Sequence, residues 1–295
     1  MNNTIKKIKS SLIIILIAVT AFFVGCTPFD FYQISEEENL LKIHFIDVGQ
    51  GDSTFIELPD STTMLIDAGE KSCGEIITRY IASQGYDKID YLIATHPHSD
   101  HIGGMTKVVE NFEIEKIYMS DVDTDTKTYE TLLETIADNN HKIKTAKPGN
   151  YIIDSNDIKA KILAPVTIDE ENLNNCSIVI RLEYEDTSYL FTGDAEIKEL
   201  EAITEEVYAD VLKVGHHGSV TSTNEDFLSQ VNPSIAVISC GKNNDYGHPH
   251  KEVMKYLKDY ETEIYRTDED GTITVFSDGK NIAVETEIER KGYFE

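Results

Sequence analysis

Residues 95–105 read THPHSDHIGGM, directly after the apolar run Tyr91-Leu92-Ile93-Ala94. The run is short, uncharged and bounded by polar residues, as a fully buried strand should be. His96, His98, Asp100 and His101 therefore leave the end of a strand together. Histidines two apart on a tight loop can both turn inward, and the acid and histidine that follow reach a neighbouring point. Neutral imidazole and carboxylate oxygen are the donors that Zn²⁺ takes in hydrolytic sites. A solvated turn has no use for such a set. Gly103 and Gly104 come next and are expected to let the backbone turn tightly into a helix.

Outward from this stretch the chain alternates strands and helices. Residues 41–48, 53–58 and 63–66 are β-rich runs separated by Gly/Asp turns, a hairpin-like opening. Residues 74–85 predict a helix, with Ile76, Ile77, Tyr80 and Ile81 on one face. Further helices are expected over 103–111, 126–140, 196–204, 224–231 and 251–260. Strands are expected over 114–119, 142–146, 158–164, 177–183, 189–192, 210–214, 234–239, 263–266, 272–277 and 282–287. No linker-like stretch divides residues 41–290, so the pattern describes sheets covered by helices in one domain.

The N-terminus reads as an address. Lys6, Lys7 and Lys9 precede an apolar run of about 13 residues, short of the roughly 20 that span a bilayer. A secretory signal over residues 1–25 fits this better than an uncleaved single-span anchor. Residues 23–26, Phe-Val-Gly-Cys, resemble a bacterial lipobox, which implies that Cys26 is acylated. Residues 26–40 then form a polar tether, and the domain at 41–290 lies outside the cytoplasmic membrane, held to it through Cys26. Cys73, Cys176 and Cys240 remain, too few and odd in number for a disulfide scaffold, and buried free thiols are expected.

Charge narrows the partners. The chain carries 26 Lys+Arg against 53 Asp+Glu, a net −27 over 295 residues. Such a chain repels polyanions as a whole, which argues against coating or wrapping nucleic acid. It leaves room for a nucleic-acid enzyme that grips its substrate in one small charged cleft. Lys213, Lys242, His250 and Lys251, close in sequence to histidines of interest, are expected to help that grip. No stable protein partner is predicted.

HPHSDHIGG resembles the HxHxDH motif of the metallo-β-lactamase fold superfamily. HFIDVGQGDS (44–53) and LIDAG (65–69) look like the opening signatures of its ComEC-type branch, the extracellular hydrolase domain of competence DNA-uptake channels. LFTGDAE (190–196), KVGHHGS (213–219), ISCGKNNDYGHPH (238–250) and RTDEDGTI (266–273) continue the resemblance in order. It implies an α/β fold, a four-layer αββα sandwich of two mixed β-sheets covered by helices. It also implies two divalent metal ions, zinc before manganese. His96 and His98 would hold one ion, Asp100 and His101 the other, and Asp194 would bridge them. His217 would complete the second site, with His216 beside it on a substrate phosphate. His248 would contact phosphate or donate a proton, and Asp100 would orient the nucleophile.

There is one departure. Many members place a third histidine on the first metal just before the strand leading to the bridging Asp, where this chain has Asn174-Asn175-Cys176-Ser177. Either water completes a weak site, or Cys176 supplies a soft ligand. His141 follows a polar helix end and is expected to be exposed. Asp47 and Asp67 sit in Gly-containing turns and can cap backbone amides, and Asp67 can also hold a metal-bound histidine from behind. The resemblance implies a metal-dependent hydrolase, first a phosphodiesterase acting on nucleic acid or an envelope polymer. The alternatives are hydrolysis of a lactone, thioester or β-lactam, and a binding lipoprotein without turnover.

Overall fold

The computed structural model describes residues 40–290. The signal, Cys26 and nearly all of the tether lie outside them. An antiparallel opening comprises β1 (Leu41–Phe45), β2 (Thr54–Glu57) and β3 (Thr63–Ile66), followed by α1 (Gly74–Ser83) and β4 (Lys88–Ala94). Next come α2 (Ser99–Ile102), α3 (Met105–Asn111), β5 (Glu113–Met119), α4 (Lys127–Asp138) and β6 (Ile143–Thr145). The second half holds β7 (Tyr151–Asp154), β8 (Ile158–Ala164), β9 (Val179–Tyr184), β10 (Thr187–Phe191), α5 (Ile197–Leu200) and β11 (Val211–Lys213). It closes with α6 (Glu225–Val231), β12 (Ile235–Ile238), α7 (Lys251–Asp259), β13 (Glu263–Arg266), α8 (Thr267–Asp270), β14 (Ile273–Ser277) and β15 (Ile282–Thr286).

Two mixed sheets result. One runs β15-β14-β1-β2-β3-β4-β5-β6 and the other β13-β12-β11-β10-β9-β8-β7. β3 to β6 are mutually parallel, as are β10 to β13. Side chains alternate faces along each strand, and the apolar residues sort accordingly. Leu41, Ile43 and Phe45 of β1 meet Tyr189 and Phe191 of β10 between the sheets. Leu92 and Ala94 of β4 turn the other way, onto Ile77, Val108 and Leu132 of α1, α3 and α4. Leu190, Leu212 and Ala236 pack outward against Phe227 and Leu257 of α6 and α7. Three apolar layers between four of secondary structure make the αββα sandwich.

The differences from expectation are local. β7 had no predicted counterpart: its sequence YIID is apolar at two positions only, and three of its four residues are half-buried or exposed. The helix expected over 103–111 begins at Met105 as α3, and a separate short helix, α2, precedes it over Ser99–Ile102. Gly103 and Gly104 mark the division, yet both have ordinary helical dihedrals. Their purpose is room, since a Cβ on Gly104 would lie 2.1 Å from the Ala68 carbonyl oxygen. The helix expected over 196–204 contracts to α5.

Candidate metal centre

The site forms where the carboxyl ends of parallel strands from both sheets meet. β4 delivers His96, His98 and α2, β10 delivers Asp194, and β11 delivers His216 and His217. His216, His217 and Gly218 take successive left-handed conformations (φ 49°, 55° and 84°). For two histidines this is uncommon and strained, a cost met at sites that must aim a side chain. Gly218 has the further constraint that a Cβ there would sit 2.5 Å from Pro249 Cβ.

Two groups of donors converge. His96 Nε2 and His98 Nδ1 lie 3.0 Å apart. Asp100, His101, Asp194 and His217 form the second group, each offering one atom within 4.8 Å of the others. Asp194 Oδ2 is 3.2 Å from His101 Nε2 and 3.7 Å from His217 Nε2, which is 3.2 Å from Asp100 Oδ2. Donors about 2.0–2.2 Å from a tetrahedral ion stand roughly 3.3–3.6 Å apart, so the spacing suits a divalent metal. The bonding agrees: His101 Nε2 and Asp194 Oδ1 are buried and make no hydrogen bond. Such orphans are costly unless a ligand engages them.

Charge tells the same story. Burial opposes a charged His217, yet Asp194, Asp100 and Asp52 outweigh it and lift its pKa to about 10. His101 is likewise held well above the usual histidine range, as Asp194 and Asp67 overcome its burial. Burial raises the Asp100 pKa, but the His217 hydrogen bond and the His101 charge bring it down to about 2. The carboxylates demand positive charge, and without metal the imidazoles hold it as protons. His96 and His98 are instead pushed down, first by burial, and stay neutral as ligands must.

Behind the donors lies a buried polar layer. Asp67 Oδ2 is 2.7 Å from His101 Nδ1, and the same oxygen accepts from the Thr95 hydroxyl while Oδ1 accepts from the Thr95 N–H. The His101 tautomer that presents Nε2 forward is thereby fixed. His217 Nδ1 is held by the Ser239 carbonyl at 3.0 Å and lies 3.5 Å from Asp52 Oδ1. Asp52 in turn pairs with Lys213 at 2.8 Å.

That pair corrects an expectation. Lys213 is buried at 3% exposure behind His217, so it cannot reach a substrate phosphate. Sequence reasoning also missed Asp52. The only available signal was its place in GQGDS, since an acid pointing inward after a glycine turn reads the same as a solvated one. Asp47 is the solvated kind, its Oδ1 taking the Gly49 N–H. Cys176 is not a ligand: its thiol donates to the Asp169 carbonyl, and burial pushes its pKa up. Half-buried His141 lies outside the site cavity. His250 Nδ1 accepts from the Val220 N–H and serves the loop, whereas Lys242 and Lys251 are exposed.

The rim belongs to His216, His248 and Tyr246. His216 Nδ1 contacts the Thr221 hydroxyl at 3.1 Å and its Nε2 lies 3.7 Å from Asp194. His248 Nδ1 is buried and unpartnered, and burial with the neighbouring His217 and His216 charges pushes its pKa down to about 4. Tyr246, 68% exposed, stacks on it at 5.7 Å. These residues border a cavity of about 290 Å³, and His248 also borders a neighbouring one of about 720 Å³ that Lys242 and Arg266 line.

An αββα sandwich carrying donors from both sheets at one edge defines the class of metal-dependent hydrolases with a candidate dinuclear centre. The chain belongs to the metallo-beta-lactamase superfamily, whose family model matches residues 46–242. It is similar to ComE operon protein 3 of Bacillus subtilis, 33% identical over 252 residues, covering 79% of this chain and 32% of that protein. It is also similar to Recombination protein 2 of Haemophilus influenzae, 30% identical over 285 residues, covering 93% and 32%. The chain thus spans about a third of the length of these relatives. Among solved structures, CmlA, a diiron beta-hydroxylase from Streptomyces venezuelae, superposes with a TM-score of 0.52 at 12% identity, over 78% of this chain and 53% of that one. That likeness is one of fold.

Proposed function

We propose that the chain is an extracytoplasmic, membrane-tethered phosphodiesterase acting on nucleic acid or a cell-envelope phosphodiester. The observation that carries this is the convergence of Asp100, His101, Asp194 and His217 beside the His96–His98 pair. These donors would hold two divalent ions, zinc before manganese, which would supply Lewis acidity and an activated water near neutral pH. The chain's own residues do the rest. Asp100 orients the nucleophile, and His216 gives a hydrogen bond to a non-bridging phosphate oxygen. His248, neutral at pH 7, borders the cavity and contacts a phosphate oxygen by hydrogen bonding. Donors placed where charge develops in the transition state are the largest contribution such a site makes. Relatives named for competence and recombination favour nucleic acid among the substrates, and Tyr246 offers a flat face at the cavity mouth for a base.

A panel of single-stranded DNA, duplex DNA, phosphorylcholine esters and homoserine lactones separates the readings. Cleavage of a phosphodiester, lost in His98→Ala and Asp194→Ala, is expected. Turnover of the lactones alone would assign the carbonyl alternative, and turnover of nothing by the metal-loaded chain would leave a binding protein.

A further inference from the structure

The second donor group brings four protein residues together, and the first has only the His96–His98 pair, while Asp194 keeps one buried oxygen, Oδ1, without a hydrogen bond. The segment next to His96 is Ser177 and the turn before it at Leu173–Cys176. It is tightly pinned: the Ser177 hydroxyl lies 3.2 Å from His96 Nδ1 and accepts from the Asp194 N–H, and the Ile178 N–H donates to the Thr95 carbonyl. Asn175 has both side-chain atoms engaged, its oxygen by the Glu196 N–H and its nitrogen by Asp169. Asn174 differs. Its side chain is nine-tenths buried, it borders the same cavity as His98 and Asp194, and its Oδ1 makes no hydrogen bond. Around the site the same combination of burial and missing partner occurs at His101 Nε2 and Asp194 Oδ1, two of the metal donors, and at His248 Nδ1 on the cavity rim. An amide oxygen left bare in a polar site is unfavourable unless something positive meets it.

We propose that Asn174, through Oδ1, is the third protein residue on the first metal, standing where other members of the superfamily carry a histidine. The inference rests on the binuclear reading of the site. A neutral amide oxygen is a harder and weaker donor than imidazole. The first site therefore binds more weakly than the second and is the one that tolerates manganese. The two ions load in sequence, His101 and His217 filling first.

Titration calorimetry of the metal-free full-length chain with Zn²⁺ tests this without reference to turnover. The wild type should show two binding events. Asn174→Ala should weaken the weaker event about tenfold or more and leave the tighter one unchanged. Asn174→Asp keeps an oxygen in place, adds a charge and should tighten the weaker event. Two unchanged events in Asn174→Ala would overturn the assignment while leaving the binuclear site intact. Uptake of no metal by the wild type would overturn both. Should Asn174→Ala fail to fold, Asn174→Asp decides alone, and an unaltered weaker event counts against the proposal.

Discussion

At the scale of single residues, the site depends on charges that never touch solvent. Lys213 and Asp52 are joined across 161 positions of sequence and lie behind His217. Removing one partner of a buried pair leaves the other uncompensated, at a cost of about 3–5 kcal/mol. Lys213→Met should therefore lower stability by that order in urea unfolding and loosen metal binding, whereas Lys242→Met should do neither. His217 makes a second prediction, in pH. In the metal-free chain its pKa is about 10, well above the unfolded value of about 6.5. A raised pKa stabilises the fold fully below the unfolded value, and the contribution is lost as pH climbs through the folded one. Relative to His217→Gln, the Tm advantage of the chelator-treated wild type should shrink between about pH 7 and pH 10, and metal should flatten the profile by displacing the proton. An advantage that grows over that range would contradict the assignment. The metal-facing histidines were legible because HPHSDH has no bland use. Asp52 and Lys213 were not, because burial of a charge is a property of the fold and leaves no local pattern.

At the scale of elements, the loop between β1 and β2 and the loop after β3 support the metal-bearing segment that runs from the end of β4 through α2. The Asp52 N–H donates to the Asp100 carbonyl at 3.1 Å, and the Ala68 N–H donates to that of His101 at 2.7 Å. A Cβ on Gly51 would lie 2.5 Å from the Asp100 carbonyl oxygen. Gly51→Ala should push Asp100 outward, cost about 1–3 kcal/mol of stability and weaken the second metal site, which metal competition would register. Equal stability and metal affinity would show that the β1–β2 loop and the metal-bearing segment are independent. The strands of the interior were legible for a related reason. The carboxyl halves of β4 and β10 and all of β12 are apolar on both faces because each face is covered, and their composition announces it. β7 sits at a sheet edge with little to bury, so nothing in its sequence separates it from a turn. The glycines of HIGGM were legible as a constraint, but the sequence could not tell a strained dihedral from a tight contact.

At the scale of the whole molecule, net charge and site pull in opposite directions. Beyond residue 25 the chain has 23 basic residues against 53 acidic, a net −30. The donors set two carboxylates, Asp100 and Asp194, against four histidines, so two divalent ions make the cavity a local positive centre on an acidic body. A substrate held by one phosphodiester fits that distribution, and a wrapped polyanion does not. The tether we propose is tested apart from the site: a palmitate analogue should label the wild type in cells and leave Cys26→Ser unlabelled. Equal labelling of both would remove the lipid anchor. Among the described residues no helix is long and apolar enough to cross a membrane. The central claim is that the two donor groups are two metal positions sharing Asp194. Metal content per chain tests it most directly. We expect close to two ions in the wild type and about one in His98→Ala, and a wild-type chain that is fully folded yet takes up no metal would contradict the account.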